Sequence, residues 1–202
     1  MNGWPDELQR LRALDPRRRG FGALEHAYAL RPPLGEDGVS AVERKYGVRL
    51  PEPYRTFVRD VGSGGAGPGF GLFPPDVRGE DEIGDDIGTS DLPLLATPFD
   101  AGAAFGLTVE DADEDDDEAV ERTLADYCDA RWTAGAMYLN HYGCALRALI
   151  VVTGPLAGRI IFDRRTELGG IVPFDGTQAR IYHDDDAPTA DAPYSFEAWY
   201  ER

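Results

Sequence analysis

Residues 39–75, VSAVERKYGVRLPEPYRTFVRDVGSGGAGPGFGLFPP, carry the densest local information in the chain. Ser40 followed by Glu43 has the spacing of a capping box, in which the hydroxyl accepts from one free amide and the carboxylate reaches back to another. A first helix therefore starts at Ser40 and runs to Tyr46. Gly47 stops it by taking the left-handed conformation, and Val48 folds back on the last turn. A second helix opens at Pro51, which suits a first helical position because no amide hydrogen is needed there. Within it Tyr54, Phe57, Val58 and Val61 recur at i, i+3, i+4 and i+7, a stripe that must be buried. Gly62, Gly64, Gly65, Gly67, Gly69 and Gly71 then break regular structure, and Leu72-Phe73-Pro74-Pro75 returns an apolar end to the core.

Toward the N-terminus, Pro5 opens a helix with a Leu8, Leu11 and Leu14 stripe, closed at Asp15-Pro16. Residues 1–20 read as a helical extension, or else as a flexible one. Phe21 to Leu30 reads as another helix with Phe21, Leu24 and Tyr28 on one side, ended by Pro32-Pro33. Residues 76–109 are expected to be irregular, with at most one strand or short helix. Residues 110–118 are nearly all carboxylate and are expected to stay solvated by mutual repulsion. A helix follows, with Val120, Leu124, Tyr127 and Cys128 on one side and Trp132 packed nearby.

From Ala136 the periodicity changes. Leu146 to Thr153 is apolar and rich in β-branched residues, and the turn residues from Gly154 to Gly158 make a hairpin into a strand over 159–163. Gly169-Gly170 turns into a third strand, Ile171 to Phe174, and residues 180–183 add an edge. Because 146–152 alternates poorly, both faces of that strand should be covered. Ser195 caps a last helix bearing Phe196, Trp199 and Tyr200. Helices, then a run of strands, then a helix predict one α+β domain with a mostly antiparallel central sheet flanked by the N-terminal helices and a C-terminal one.

Two blocks of this chain resemble the SUKH superfamily, bacterial immunity proteins together with a fungal regulator of cell-wall assembly. The first is the glutamate-bearing helix with Glu43, the joint at Leu50-Pro51, Tyr54 and Phe57, and the glycine run with Gly64 and Gly65. The second is His141-Tyr142-Gly143-Cys144, then LIVVTGPLAGRIIFD with Gly154 and Gly158, then GGIVPF and the segment around Trp199. The resemblance spans residues 21–202, with the acidic insertion at about 110–118 as an addition. It implies a non-catalytic protein-binding domain and supplies no catalytic residue.

Composition bounds the function further. With 202 residues and a net charge of -17, the chain has room for one core and an exterior that repels nucleic acid and anionic membranes. A basic protein is attracted instead. No apolar run approaches the ~20 residues of a membrane span, and the N-terminus lacks signal-peptide features, which predicts a cytoplasmic protein. Cys128 and Cys144 read as free thiols.

Several chemical motifs fail on context. Residues 62–67 match GxGxxG but follow a helix instead of a strand. Asp111, Asp113, Asp115 and Asp117 have calcium-loop spacing, yet Asp116 stands at the glycine position and Arg122 at the glutamate position. His26, His141 and His183 have no zinc spacing. Neither a metal nor a cofactor is therefore expected.

The first functional reading is an immunity-type protein that neutralises a toxin, for instance a basic nuclease, by covering its surface. The candidate contact residues are Asp111, Asp113, Glu114, Asp115, Asp116, Asp117 and Glu118, seconded by Glu80, Asp81, Glu82, Asp85 and Asp86, with Gly65 and Phe70 of the glycine loop as a second face. An intracellular regulatory scaffold is one alternative. An enzyme using Cys144 and His141 as nucleophile and base is another.

Overall fold

The computed structural model describes residues 3–75, 94–109, 116–178 and 190–201. Helices α1 (Trp4–Leu14), α2 (Ala23–His26), α3 (Gly35–Tyr46), α4 (Glu52–Asp60), α5 (Ala101–Phe105) and α6 (Asp117–Tyr127) precede strands β1 (Ala136–His141), β2 (Arg147–Val151), β3 (Ile160–Asp163) and β4 (Ile171–Pro173), and α7 (Phe196–Tyr200) follows them. The sheet is an antiparallel meander in the order β1-β2-β3-β4. This is a single α+β domain, as the element order predicts.

β2 is buried along its whole length, which accounts for its missing alternation. On one face Ala148 and Ile150 join Leu139, Phe162, Leu50, Tyr54, Phe57 and Trp199 in the larger core. On the other, Leu149 and Val151 pack with Phe73, Phe99, Ile161 and Ile171, closed by α5 and Leu107. Helices α3, α4 and α7 thus cover one side, and α5 with the segments around it the other. The short helix expected within 76–109 is α5, capped by Asp100, which accepts from the Ala103 amide at 3.1 Å.

Five local readings are corrected. α3 begins at Gly35, so Ser40 lies inside the helix, where its hydroxyl reaches Glu36 at 3.4 Å and no capping box forms. Pro51 stands just before α4 as its cap residue, and Pro53 occupies the first turn. α2 spans four residues instead of ten because Ala27 and Tyr28 take left-handed conformations, which turns Leu24 out to 72% exposure. α6 buries only Tyr127 of its stripe; Leu124 is exposed. β1 is a strand that the sequence reading missed.

Other expectations hold. Gly47 ends α3 at φ 65°, and the Val48 amide donates to the Glu43 carbonyl at 3.0 Å. Gly154 and Gly158 adopt positive φ in the hairpin turn. Ser195 caps α7, accepting from the Ala198 amide at 3.3 Å. The residues 180–183 proposed as a sheet edge lie outside the described residues. Among the described residues, no helix is long and apolar enough to cross a membrane.

Candidate partner-binding groove at the glycine loop

Two residues of the family-like block act as the joint between α3 and α4. Glu43 Oε1 accepts from the Leu50 amide at 2.9 Å and from Arg55 Nε at 3.1 Å, and Arg55 also donates to Glu36. Held this way, α4 sends Tyr54, Phe57 and Val58 into the core and delivers the chain into the glycine loop.

The loop does not stand free. The Gly65 amide donates to the Leu72 carbonyl at 2.9 Å, Ala66 to Ala29 at 2.8 Å and Arg31 to Gly64 at 2.8 Å, so the loop is stitched to the segment after α2. A side chain at Gly65 is excluded, since its Cβ would sit 2.4 Å from the Ala29 carbonyl oxygen at φ 94°. Gly65 is therefore a packing residue, and as a direct partner contact it is set back from the surface. Farther along, the loop joins the outer edge of β1. Phe70 and Phe73 donate their amides to His141 and Leu139 at 3.0 and 2.7 Å, and buried Asn140 donates its side-chain amide to the Pro68 carbonyl at 2.8 Å. The same Asn140 accepts from the Ala148 amide at the bulge between β1 and β2. From the other direction, Tyr200 of α7 donates to the Ala66 carbonyl at 2.8 Å.

Between α2, the loop and the edge of β1 lies a groove of about 410 Å³, with Glu25, His26, Arg31, Phe70, Phe73 and His141 among its lining. The rings form a continuous series. Phe21 meets Phe70 at 4.9 Å, Phe70 stacks on His141 at 4.7 Å, and Phe73 stacks on His141 at 5.8 Å. Phe21 and Leu24 are exposed beside α2, so an apolar rim adjoins the two imidazoles. Burial pushes the pKa values of both His26 and His141 down; Arg147 lowers His141 further, and Glu25 opposes the shift at each. His26 Nδ1 accepts from the Tyr28 amide at 3.1 Å, which puts the neutral ring's proton on Nε2.

The remaining predicted residues are placed as follows. Asp116 caps α6, accepting from the Ala119 amide at 3.0 Å, while Asp117 and Glu118 occupy its exposed first turn. Asp111, Asp113, Glu114 and Asp115 lie outside the described residues, as do Glu80, Asp81, Glu82, Asp85 and Asp86. Cys144 is exposed in a left-handed turn after Gly143, whereas the His141 ring packs on Phe70 and Phe73. Cys128 closes α6 as a half-buried thiol. Trp199 is fully buried and donates its indole N–H to Tyr142 Oη at 2.9 Å. His26 and Asn140 were not singled out as site residues by sequence, because nothing in their own neighbourhoods announces the groove.

Among the described residues, no group of three or more His, Cys, Asp or Glu side chains is arranged to hold a metal ion. Comparison of the chain with protein-family models, with curated proteins and with solved structures finds no match.

Proposed function

We propose that the protein is a SUKH-type immunity protein of the cytoplasm that neutralises a basic protein toxin, such as a nuclease, by covering its cationic surface. The observation that carries this reading is how charge is divided between core and exterior. Among the described residues the buried charged side chains are Arg55, Arg147, Arg165 and Asp163. Placing three arginines against one aspartate in the interior leaves the exterior more negative than the chain's net charge of -17. Such a surface speeds encounter with a cationic partner and disfavours nucleic acid and anionic lipid.

On this reading the carboxylates of 111–118 supply the long-range attraction, and the groove edged by Phe21, Leu24 and Phe70 supplies apolar contact. The test isolates the basic protein that co-purifies in the native host and titrates it with wild-type chain and with a chain in which the acids of 111–118 are made Asn and Gln. Weaker binding of the variant and a steep loss of wild-type affinity with salt are expected. Equal affinities that ignore salt would remove the acidic-surface mechanism.

A further inference from the structure

We propose that α1 is a displaceable strap: it covers, within the chain, a face that takes an amphipathic helix carrying a bulky aromatic side chain. None of the 11 residues of α1 is buried, and Leu14 is 68% exposed. A helix of this length is marginal alone in water, so its persistence depends on what it touches. Its principal anchor is Trp4, whose ring lies 4.7 Å from Tyr200, 5.2 Å from Phe57 and 6.3 Å from Phe196. At the far end the chain is tied by Asp15, which accepts from the Gly20 amide at 2.9 Å and from the Tyr28 hydroxyl at 2.8 Å.

Between these two ties α1 stands off the body. Cavities of about 500 and 480 Å³ flank it, and Leu8 lines both. One opens toward Gly67-Pro68-Gly69 and Tyr200, the other toward Pro32, Pro33 and Val61. Lifting α1 off joins them into one trough floored by the rings that Trp4 now covers. Two weak ties around unfilled space are the mark of an element that opens well below the free energy of global unfolding. The trough's ligand is defined by what already sits in it: a helix with an indole at its start and leucines at the spacing of Leu8 and Leu11. This inference does not rest on the toxin reading; it holds for whatever partner supplies the helix.

The test uses the full-length chain. In native-state hydrogen exchange, the α1 amides should exchange on the order of 100-fold faster than those of α4 and β2. A fluorescently labelled peptide of residues 3–16 is then titrated into the full-length Trp4→Ala protein. Saturable binding is expected there. Wild-type chain should bind the same peptide about tenfold more weakly, because its own tethered strap competes at high effective concentration. The peptide carrying Trp4→Ala should bind neither. Exchange of α1 in step with α4 in the wild type overturns the proposal. So does a Trp4→Ala protein that keeps α4 and β2 protected yet ignores the peptide, and so does loss of α4 protection in that variant, which would make Trp4 part of the core.

Discussion

The Glu43 carboxylate accepts from Arg55 Nε at 3.1 Å, joining two helices across a five-residue connection with both side chains largely out of solvent. The contact satisfies more than charge. The same oxygen holds the Leu50 amide, so removing it strands a buried guanidinium and a backbone donor together.

Glu43→Ala should therefore cost about 3 kcal/mol of stability, read as a lower urea midpoint. Exposed Glu36, which also receives Arg55, can compensate only in part. Adding Arg55→Met to Glu43→Ala should recover some of the loss, because the second change removes the stranded charge. A Glu43→Ala protein as stable as wild type would refute the clamp.

The glycine loop can be probed with a matched pair. Gly65→Ala puts a Cβ 2.4 Å from a backbone oxygen at φ 94°, whereas Gly47→Ala, at φ 65°, meets nothing within 4 Å. Gly47→Ala should cost about 1 kcal/mol, the penalty of the left-handed conformation alone. For Gly65→Ala the expectation is roughly 3 kcal/mol, since the strand-like stitching to Ala29 and Leu72 must also open. Thermal or urea melts of the two variants decide it, and equal losses would show that the loop moves aside freely.

Acid should weaken the fold through the groove imidazoles. Both His26 and His141 have pKa values below the ordinary 6.5, so the folded chain holds fewer protons on them than the unfolded chain does. Their contribution is complete above pH 6.5 and is lost as pH falls through the depressed folded values. The double variant His26→Gln, His141→Gln should flatten the decline in urea midpoint between about pH 7 and pH 5.5. Gln keeps an acceptor for the Tyr28 amide, which separates loss of titration from loss of the hydrogen bond. An unchanged slope in the variant would place the pH sensitivity elsewhere.

What the amino-acid sequence determined by itself is the set of features encoded within a turn or two of chain. Gly47 stops α3, Tyr54, Phe57 and Val58 form the buried stripe of α4, Gly154 to Gly158 turns the hairpin, and Ser195 starts α7. The α+β order followed from these pieces. Only the tertiary structure decided that Glu43 serves a joint instead of a capping box, that β1 is a strand, and that Leu24 and Leu124 face solvent. It also assembled His26, Phe70, Phe73 and His141 into one groove. The physical reason is range: caps, stops and stripes are settled by neighbours in sequence, whereas the Asn140 to Pro68 and Tyr200 to Ala66 hydrogen bonds span 72 and 134 residues. Such pairings exist only after the sheet and helices have met, and no local pattern of residue types specifies them in advance.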